Sequence, residues 1–364
     1  MSMKSMRNWS LCAFLFFVCL SFFLTGCGGG RDPEDRAYII TMGVDQTEEG
    51  LQFFFAPAKT TENGGEVFSI TANTLTGVVA QADSRSSREV YLGQLKTVVF
   101  GRALLEDAEK FAAVLEELER GMMVPEKVMV LGTSQTAADC VEAIAQADSS
   151  TGLFLWEFYK NTATEVGATR GVDLDMLLTE FSEQKGSAVL PRMESKEGAL
   201  SLSGGIALAE GAYAFALSDL QEQAHLLLLG EGKGAVLEGE WDTQTLPFEV
   251  RKNKVRYTFS QKSDGRVLCD VHLDVSGMLT ASAGLPLMEE QTRESLENFF
   301  ADIIKRNLEN TITIVQQATT GDVFGIYARL CRQSPQLAEQ TKDWRDLDIQ
   351  VSCDVTLQDT GRIR

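Results

Sequence analysis

The sequence predicts a multi-domain α+β fold, with mixed or antiparallel sheets each covered by amphipathic helices. Three observations predict it. Residues 347–357 alternate without a fault, Leu347, Ile349, Val351, Cys353, Val355 and Leu357 against Asp348, Gln350, Ser352, Asp354 and Thr356, the pattern of a strand with one face buried. Residues 267–275 alternate likewise, placing Val267, Cys269, Val271, Leu273 and Val275 inward. Between them, residues 289–317 carry one helical stripe of Leu296, Phe299, Phe300, Ile303, Ile304, Leu308, Ile312 and Val315. Such a helix has little reason to be stable until that stripe lies on a sheet. A length of 364 residues leaves room for two or three cores.

The remaining elements follow in chain order. Residues 37–44 and 51–56 are β-prone runs around a turn at 45–50, a hairpin. A loop at 60–66 leads to a strand at 67–72 and a short helix at 74–83. Val98, Val99 and Phe100 belong to the next strand. Residues 104–120 read as one amphipathic helix, with Phe111, Val114, Leu115 and Leu118 on one face, ended by Gly121. A strand at 127–131 and a helix at 137–146 come next. Segment 150–190 is mostly helical, at 153–159 and 174–184, and Gly186 and Pro191 mark its end. Residues 201–210 and 212–217 flank Gly211 as a hairpin. Leu226 to Leu229 read as a strand with His225 at its edge, followed by a Gly-rich hairpin turn, Gly230-Glu231-Gly232-Lys233-Gly234. Val255, Tyr257 and Phe259 share one face of a strand at 254–260, and a helix at 323–331 precedes the last strand.

Charge and residue supply limit the function. The chain has 33 Lys and Arg against 52 Asp and Glu, a net charge of −19. So acidic a body is not a nucleic-acid binder and has no electrostatic hold on anionic lipid. Its two histidines, His225 and His272, are too few for a His-rich zinc site. Asp270, His272 and Asp274 share the polar side of one strand, a solvated face on which two neighbours bridge a metal only with difficulty. The G-x-G-x-G run at 230–234 lacks dinucleotide spacing, and Glu231 would repel a phosphate. No P-loop, H-E-x-x-H or G-x-S-x-G is present. The reading therefore names no catalytic, metal or cofactor residue, and no enzyme is expected.

The N-terminus sets the compartment. Lys4 and Arg7 precede an uncharged apolar run at 9–24, too short to span ~30 Å of hydrocarbon but suited to an export signal. Leu24-Thr25-Gly26-Cys27 then resembles a bacterial lipobox. Small residues before the cut fit a signal peptidase, and only a thiol forms the thioether to a diacylglyceryl group. Cleavage between Gly26 and Cys27 would leave Cys27 first, with the two acyl chains that stable anchoring requires. The expected organisation is a signal at 1–26, lipidated Cys27 with a Gly-rich tether at 27–36, an N-terminal α+β part at 37–197 and a C-terminal α+β domain at 198–364. Cys12 and Cys19 leave with the signal. Cys140, Cys269, Cys331 and Cys353 remain without a C-x-x-C pair, and Cys269 and Cys353 read as small hydrophobes of strand faces.

Several segments together resemble the C subunits of spore germinant receptors, the Ger(x)C lipoproteins. They are the Gly43-Val44-Asp45 step, Tyr91-Leu92-Gly93-Gln94-Leu95-Lys96 before Val98-Val99-Phe100-Gly101, Val189-Leu190-Pro191, Ser203-Gly204-Gly205-Ile206-Ala207, and the stretch 344–364 with Thr360-Gly361. Two positions depart from the family pattern: three glycines follow Cys27, and Gln94 stands where His is usual. The resemblance implies a non-enzymatic subunit, anchored through acylated Cys27 to the outer face of the inner spore membrane. It implies assembly with membrane-spanning A and B subunits into a receptor that answers small nutrients and triggers germination. The competing reading from another class is a solute-binding lipoprotein of a transporter, whose two lobes would carry parallel sheets.

Overall fold

The computed structural model describes residues 35–358, apart from 59–65, 86–87, 122–123, 148–151, 163–166, 282–284, 288 and 342. The signal at 1–26, the lipobox Leu24, Thr25, Gly26 and Cys27, most of the tether and Thr360-Gly361 lie outside the described residues. Within the tether, Arg36 already opens the first strand and pairs in register with Glu89.

The first sheet contains β1 (Arg36–Thr47), β2 (Gly50–Pro57), β3 (Phe68–Ala72), β4 (Glu89–Tyr91), β5 (Thr97–Phe100), β6 (Met129–Gly132), β7 (Ala188–Lys196), β8 (Ala199–Ala209) and β9 (Ala212–Leu217). Its helices are α1 (Leu75–Arg85), α2 (Arg102–Leu105), α3 (Ala108–Arg120), α4 (Ala137–Ala147), α5 (Leu153–Glu157) and α6 (Leu174–Glu183). The strand order is β3-β2-β1-β5-β6-β7-β8-β9, with β4 also on β1. The middle pairs are parallel and the outer hairpins antiparallel. A parallel centre needs cover on both faces, and β5 and β6 are buried along their whole length. On one side α3 brings Phe111, Val114, Leu115 and Leu118 to Val98 and Phe100, the two Phe rings 5.0 Å apart edge to face. On the other, α4 and α5 set Cys140, Ile144 and Leu155 against Val99 and Leu131.

The second sheet is β10 (Val236–Trp241), β11 (Gln244–Gln261), β12 (Val267–Leu279) and β13 (Asp348–Leu357), in that order, antiparallel except for the parallel pair β12–β13. Its helices are α7 (Asp219–Leu229), α8 (Glu290–Ala318), α9 (Ile326–Gln333) and α10 (Pro335–Ala338). As the alternation predicts, one face is covered. The stripe of α8 buries Leu296, Phe300, Ile304, Leu308, Ile312 and Val315 on it. Each such side chain contributes about 1.5–3 kcal/mol of hydrophobic stabilisation. Phe299 and Ile303 close over Gly239, where an added Cβ would sit 2.5 Å from the Ile303 side chain.

Several expectations change. The helix expected at 104–120 is two, because Asp107 accepts the Lys110 N–H at 3.1 Å and caps a new start. Pro191 lies inside β7, beside the register shift at Pro191/Met193, where a residue without an N–H fits. The expected boundary at 197/198 falls in the β7–β8 hairpin, whose turn residues Glu197 and Gly198 have positive φ. The sheet runs through that boundary, and β8 and β9 stay with the N-terminal strands. Finally, Leu226 to Leu229 are not a strand. They lie in α7, opened by a capping box in which Ser218 and Gln221 satisfy each other's backbone N–H groups.

A buried polar seam joins the two parts. Helix α7 packs on both β8 and β11. Gly167, at φ 55, lets its loop close on the turn before β10, since a Cβ there would be 2.1 Å from the Ala235 nitrogen. Arg170, 5% exposed, forms a short ion pair with Glu180. Burial opposes its charge, but Glu180, Glu231 and Glu222 together outweigh that and hold its pKa above the usual value. Glu222, fully buried, meets His225 Nδ1 at 3.2 Å.

Candidate functional site

Where α6 runs into β7, and the α8–α9 connection crosses in front of them, a cleft of about 370 Å³ opens. That size suits a small molecule. Its floor is built by close approach. A Cβ on Gly321 would lie 2.6 Å from both Ser187 Oγ and Ala209 Cβ, so only glycine lets the connection sit this near the first sheet. Asp322 then turns its carboxylate back onto the start of α9, where Oδ2 accepts the Tyr327 N–H at 2.5 Å. Burial raises the Asp322 pKa, against the backbone hydrogen bonds from Tyr327, Ile326 and Ala328 that lower it.

Four residues of this cleft each hold a buried polar atom without a hydrogen-bond partner among the described residues: Gln184 Oε1, Ser187 Oγ, Asp322 Oδ1 and Trp344 Nε1. Ser187, Asp322 and Trp344 are 1%, 8% and 2% exposed. Buried polar groups are nearly always paired, because an unpaired one costs roughly 1–3 kcal/mol. At the rim the charges are already engaged. Glu183 pairs with Arg332 and Asp343 with Arg345, Thr320 donates to Glu210, and the Lys185 ammonium stands 5.3 Å from the centre of the Tyr327 ring. No periodicity or motif points to this constellation, because its residues come from separate segments of the chain.

The residues singled out from the sequence lie elsewhere. His225 is not at a strand edge but inside α7, its ring 5.6 Å from that of Phe324. The Gly-rich run is a helix exit rather than a hairpin. Gly230 is the left-handed cap of α7, Gly232 N–H donates to Asn253 Oδ1 at 2.7 Å, and Gly234 N–H donates to the Val250 carbonyl. These N–H groups are occupied and do not form a phosphate cradle.

His272 does lie on a polar strand face, and the parallel register adds Asp354 of β13 to it. Nδ1 meets Ser352 Oγ at 3.0 Å, and Nε2 lies 3.3 Å from Asp274 and 3.6 Å from Asp354. These three are a possible metal-holding group, but Arg256 already pairs with Asp274 and Asp354 is 79% exposed in its side chain. Solvent screens charges placed like this.

The Gly43-Val44-Asp45 step is structural. Gly43 lets α4 approach β1, a Cβ there falling 2.8 Å from Val141, and Asp45 accepts the Ala137 and Ala138 N–H groups at 2.8 and 3.0 Å. Gly205 likewise makes room for Glu222 and Val189, and Gln94 is exposed.

The thiols separate sharply. Burial pushes Cys140 up to about 11, and Cys269 and Cys353 up to about 12, whereas Cys331 is exposed on the rim of the cleft. Thiolate is the reactive form. Among these four, iodoacetamide on the folded chain near neutral pH should therefore alkylate Cys331 first, and peptide mass spectrometry reads the order. Equal labelling of Cys269 would contradict the packing of β12.

Two family models match successive parts of the chain. The one described as spore germination protein N-terminal domain matches residues 29–195, and the one described as spore germination B3/GerAC like, C-terminal, matches residues 204–361. The spore germination protein GerQC of Bacillus cereus is 24% identical over 204 residues, 55% of this chain and 54% of that protein. The matched region thus spans about half the length of that curated relative. The crystal structure of the GerBC protein superposes with a TM-score of 0.60 at 13% identity, covering 87% of this chain and 97% of that one. At that identity the likeness is one of fold, and it agrees with the α+β architecture.

Proposed function

The chain belongs to the Ger(x)C family, the C subunits of spore germinant receptors, and on that premise we propose that it is a non-enzymatic subunit held to the outer face of the inner spore membrane by acylated Cys27. It assembles there with membrane-spanning A and B subunits, and the complex triggers germination in response to a small nutrient. The observation that carries this reading is the pair of family matches, in order, from residue 29 to residue 361. The remaining observations are consistent with it. A net charge of −19 leaves lipid, not surface charge, to hold the body at a membrane. No helix among the described residues is long and apolar enough to cross one. Both histidines have partners, His225 with Glu222 and His272 with Ser352.

Two measurements test the reading. Cys27→Ala is expected to abolish incorporation of labelled palmitate and leave an uncleaved precursor. Labelling equal to wild type would remove the lipobox assignment. Detergent pull-down of the mature chain from sporulating cells is expected to recover two multi-spanning membrane proteins. Recovery of a permease and an ATPase in their place would favour the transporter reading.

A further inference from the structure

We propose that the end of the first sheet from which the tether leaves docks on the headgroup layer of a phospholipid bilayer, through Trp156 beside Lys96 and Lys160 and through Tyr38 and Tyr91 beside Arg36. The proposal rests on the reading that Cys27 is acylated, and adds how the body meets the membrane to which it is tied. Strands β1, β5 and β6 run parallel, so their first residues share one end of the sheet. Helix α5 lies at that end. Gly152, just before it, comes so close to β1 that a Cβ there would be 2.4 Å from Thr41 Oγ1. The helix then carries Trp156, and the π-helical turn Phe158–Thr162 that follows carries Lys160. The Lys160 and Lys96 ammonium groups stand 4.3 and 5.4 Å from the centre of the Trp156 ring. Lys96 N–H donates to the Ile40 carbonyl at 2.9 Å, which ties this group to the opening of β1. Two residues earlier Tyr38 meets Tyr91 edge to face at 5.5 Å, and the Arg36 guanidinium lies 4.8 Å from the centre of the Tyr91 ring. Each of these residues is at least partly exposed.

The chemistry of the cluster suits the boundary between water and lipid. Trp and Tyr rings settle at headgroup level, and long cationic side chains lay their stems along apolar surface while the charge reaches a phosphate. Neither Lys96 nor Lys160 pairs with a carboxylate among the described residues. A partner protein could also use such rings, but the tether favours lipid. Cys27 and Arg36 are nine residues apart, a span of about 30 Å at most. An acyl group at Cys27 therefore keeps this end of the sheet, and not the opposite one, beside the headgroups. So short a tether makes docking intramolecular, at an effective concentration on the order of millimolar, and a weak patch then suffices. The net charge of −19 gives the body as a whole no attraction to the membrane, so the patch orients a chain that its lipid has already delivered.

The test places the acylated, processed chain in phosphatidylcholine vesicles, with or without bromine on the acyl chains, and reads tryptophan fluorescence. Bromine quenches an indole that reaches the bilayer. The processed chain has three tryptophans, Trp156, Trp241 and Trp344. Docking of Trp156 alone is expected to remove about a third of the emission, and Trp156→Phe to abolish that loss. If Trp156→Phe does not fold, Lys160→Glu serves. It changes an exposed residue, keeps all three tryptophans, and is expected to reduce the quenching by about half or more. Flotation of the same vesicles reads the acyl anchor separately. A chain that floats yet emits equally with and without bromine would overturn the docking and leave the anchor standing. Quenching that persists in Trp156→Phe, or is undiminished in Lys160→Glu, would overturn it as well. A chain that does not float would remove the anchor and the docking together.

Discussion

Phe300→Asp is expected to unfold the C-terminal part of the chain. Phe300 is fully buried in the middle of α8, its ring stacked 4.9 Å from Phe248 of β11 and set 5.1 Å from Phe299. Truncating such a ring costs about 3–5 kcal/mol through lost transfer energy and the cavity left behind. Placing a carboxylate in that space adds the cost of burying a charge without a partner. A total of about 5 kcal/mol or more is comparable with the whole stability of a typical domain, roughly 5–15 kcal/mol. Phe300→Leu keeps the site apolar and should cost only about 1–2 kcal/mol. Urea unfolding monitored by circular dichroism separates the two. A midpoint for Phe300→Asp equal to wild type would mean that α8 does not cover the sheet.

Why α8 was legible and α7 was not follows from how each buries its apolar residues. Helix α8 faces solvent on one side, so its sequence carries a stripe, and β12 and β13 carry period-two alternation for the same reason. Helix α7 lies between two sheets and buries Ala224, Leu226, Leu227 and Leu228 around most of its circumference. That erases periodicity and leaves a run of leucines that also suits a strand. The usable signal was at its start, where Ser218 and Gln221 have capping-box spacing. The boundary expected at 197/198 lies between the two family matches, which end at residue 195 and begin at residue 204, yet the chain there is a hairpin turn. Glu197-Gly198 adopt positive φ, as a tight hairpin turn demands, and turn chemistry does not distinguish a hairpin from a linker.

The cleft was illegible in a deeper sense. Gln184, Ser187, Asp322 and Trp344 form no pattern in the sequence, and each holds a buried polar atom without a partner among the described residues. Gly321 brings two of them together, and its role is seen only once Ser187 Oγ is found 2.6 Å from where its Cβ would be. The family motifs have the opposite character. Gly43, Asp45 and Gly205 hold α4 and α7 on the first sheet, so these residues serve packing and helix capping. Recognising the family from them says how the scaffold is held, and the cleft lies outside them.

The second large effect concerns the seam. Arg170→Ala is expected to destabilise the chain by about 3–5 kcal/mol, the range for removing one partner of a buried ion pair. Arg170 and Glu180 have side chains 6% and 18% exposed, and Glu222 behind them is fully buried, its Oε1 without a hydrogen-bond partner among the described residues. Losing the guanidinium leaves two largely buried carboxylates, one from each side of the seam, without their cation. The loss should fall on the attachment of α7 to the loop at 167–172 before it reaches either sheet. Hydrogen exchange should therefore quicken first in α7 and in the turn before β10. Arg170→Met with Glu180→Leu removes both charges of the closest pair while keeping volume, and should recover more than half of the loss, because replacing a buried ion pair by apolar groups is often neutral. If Arg170→Ala is as stable as wild type, the seam is wet and its charges are screened. If the double variant is no better than Arg170→Ala, the guanidinium serves chiefly Glu222 and Glu231, and the variant to make next is Glu222→Gln in the Arg170→Met background.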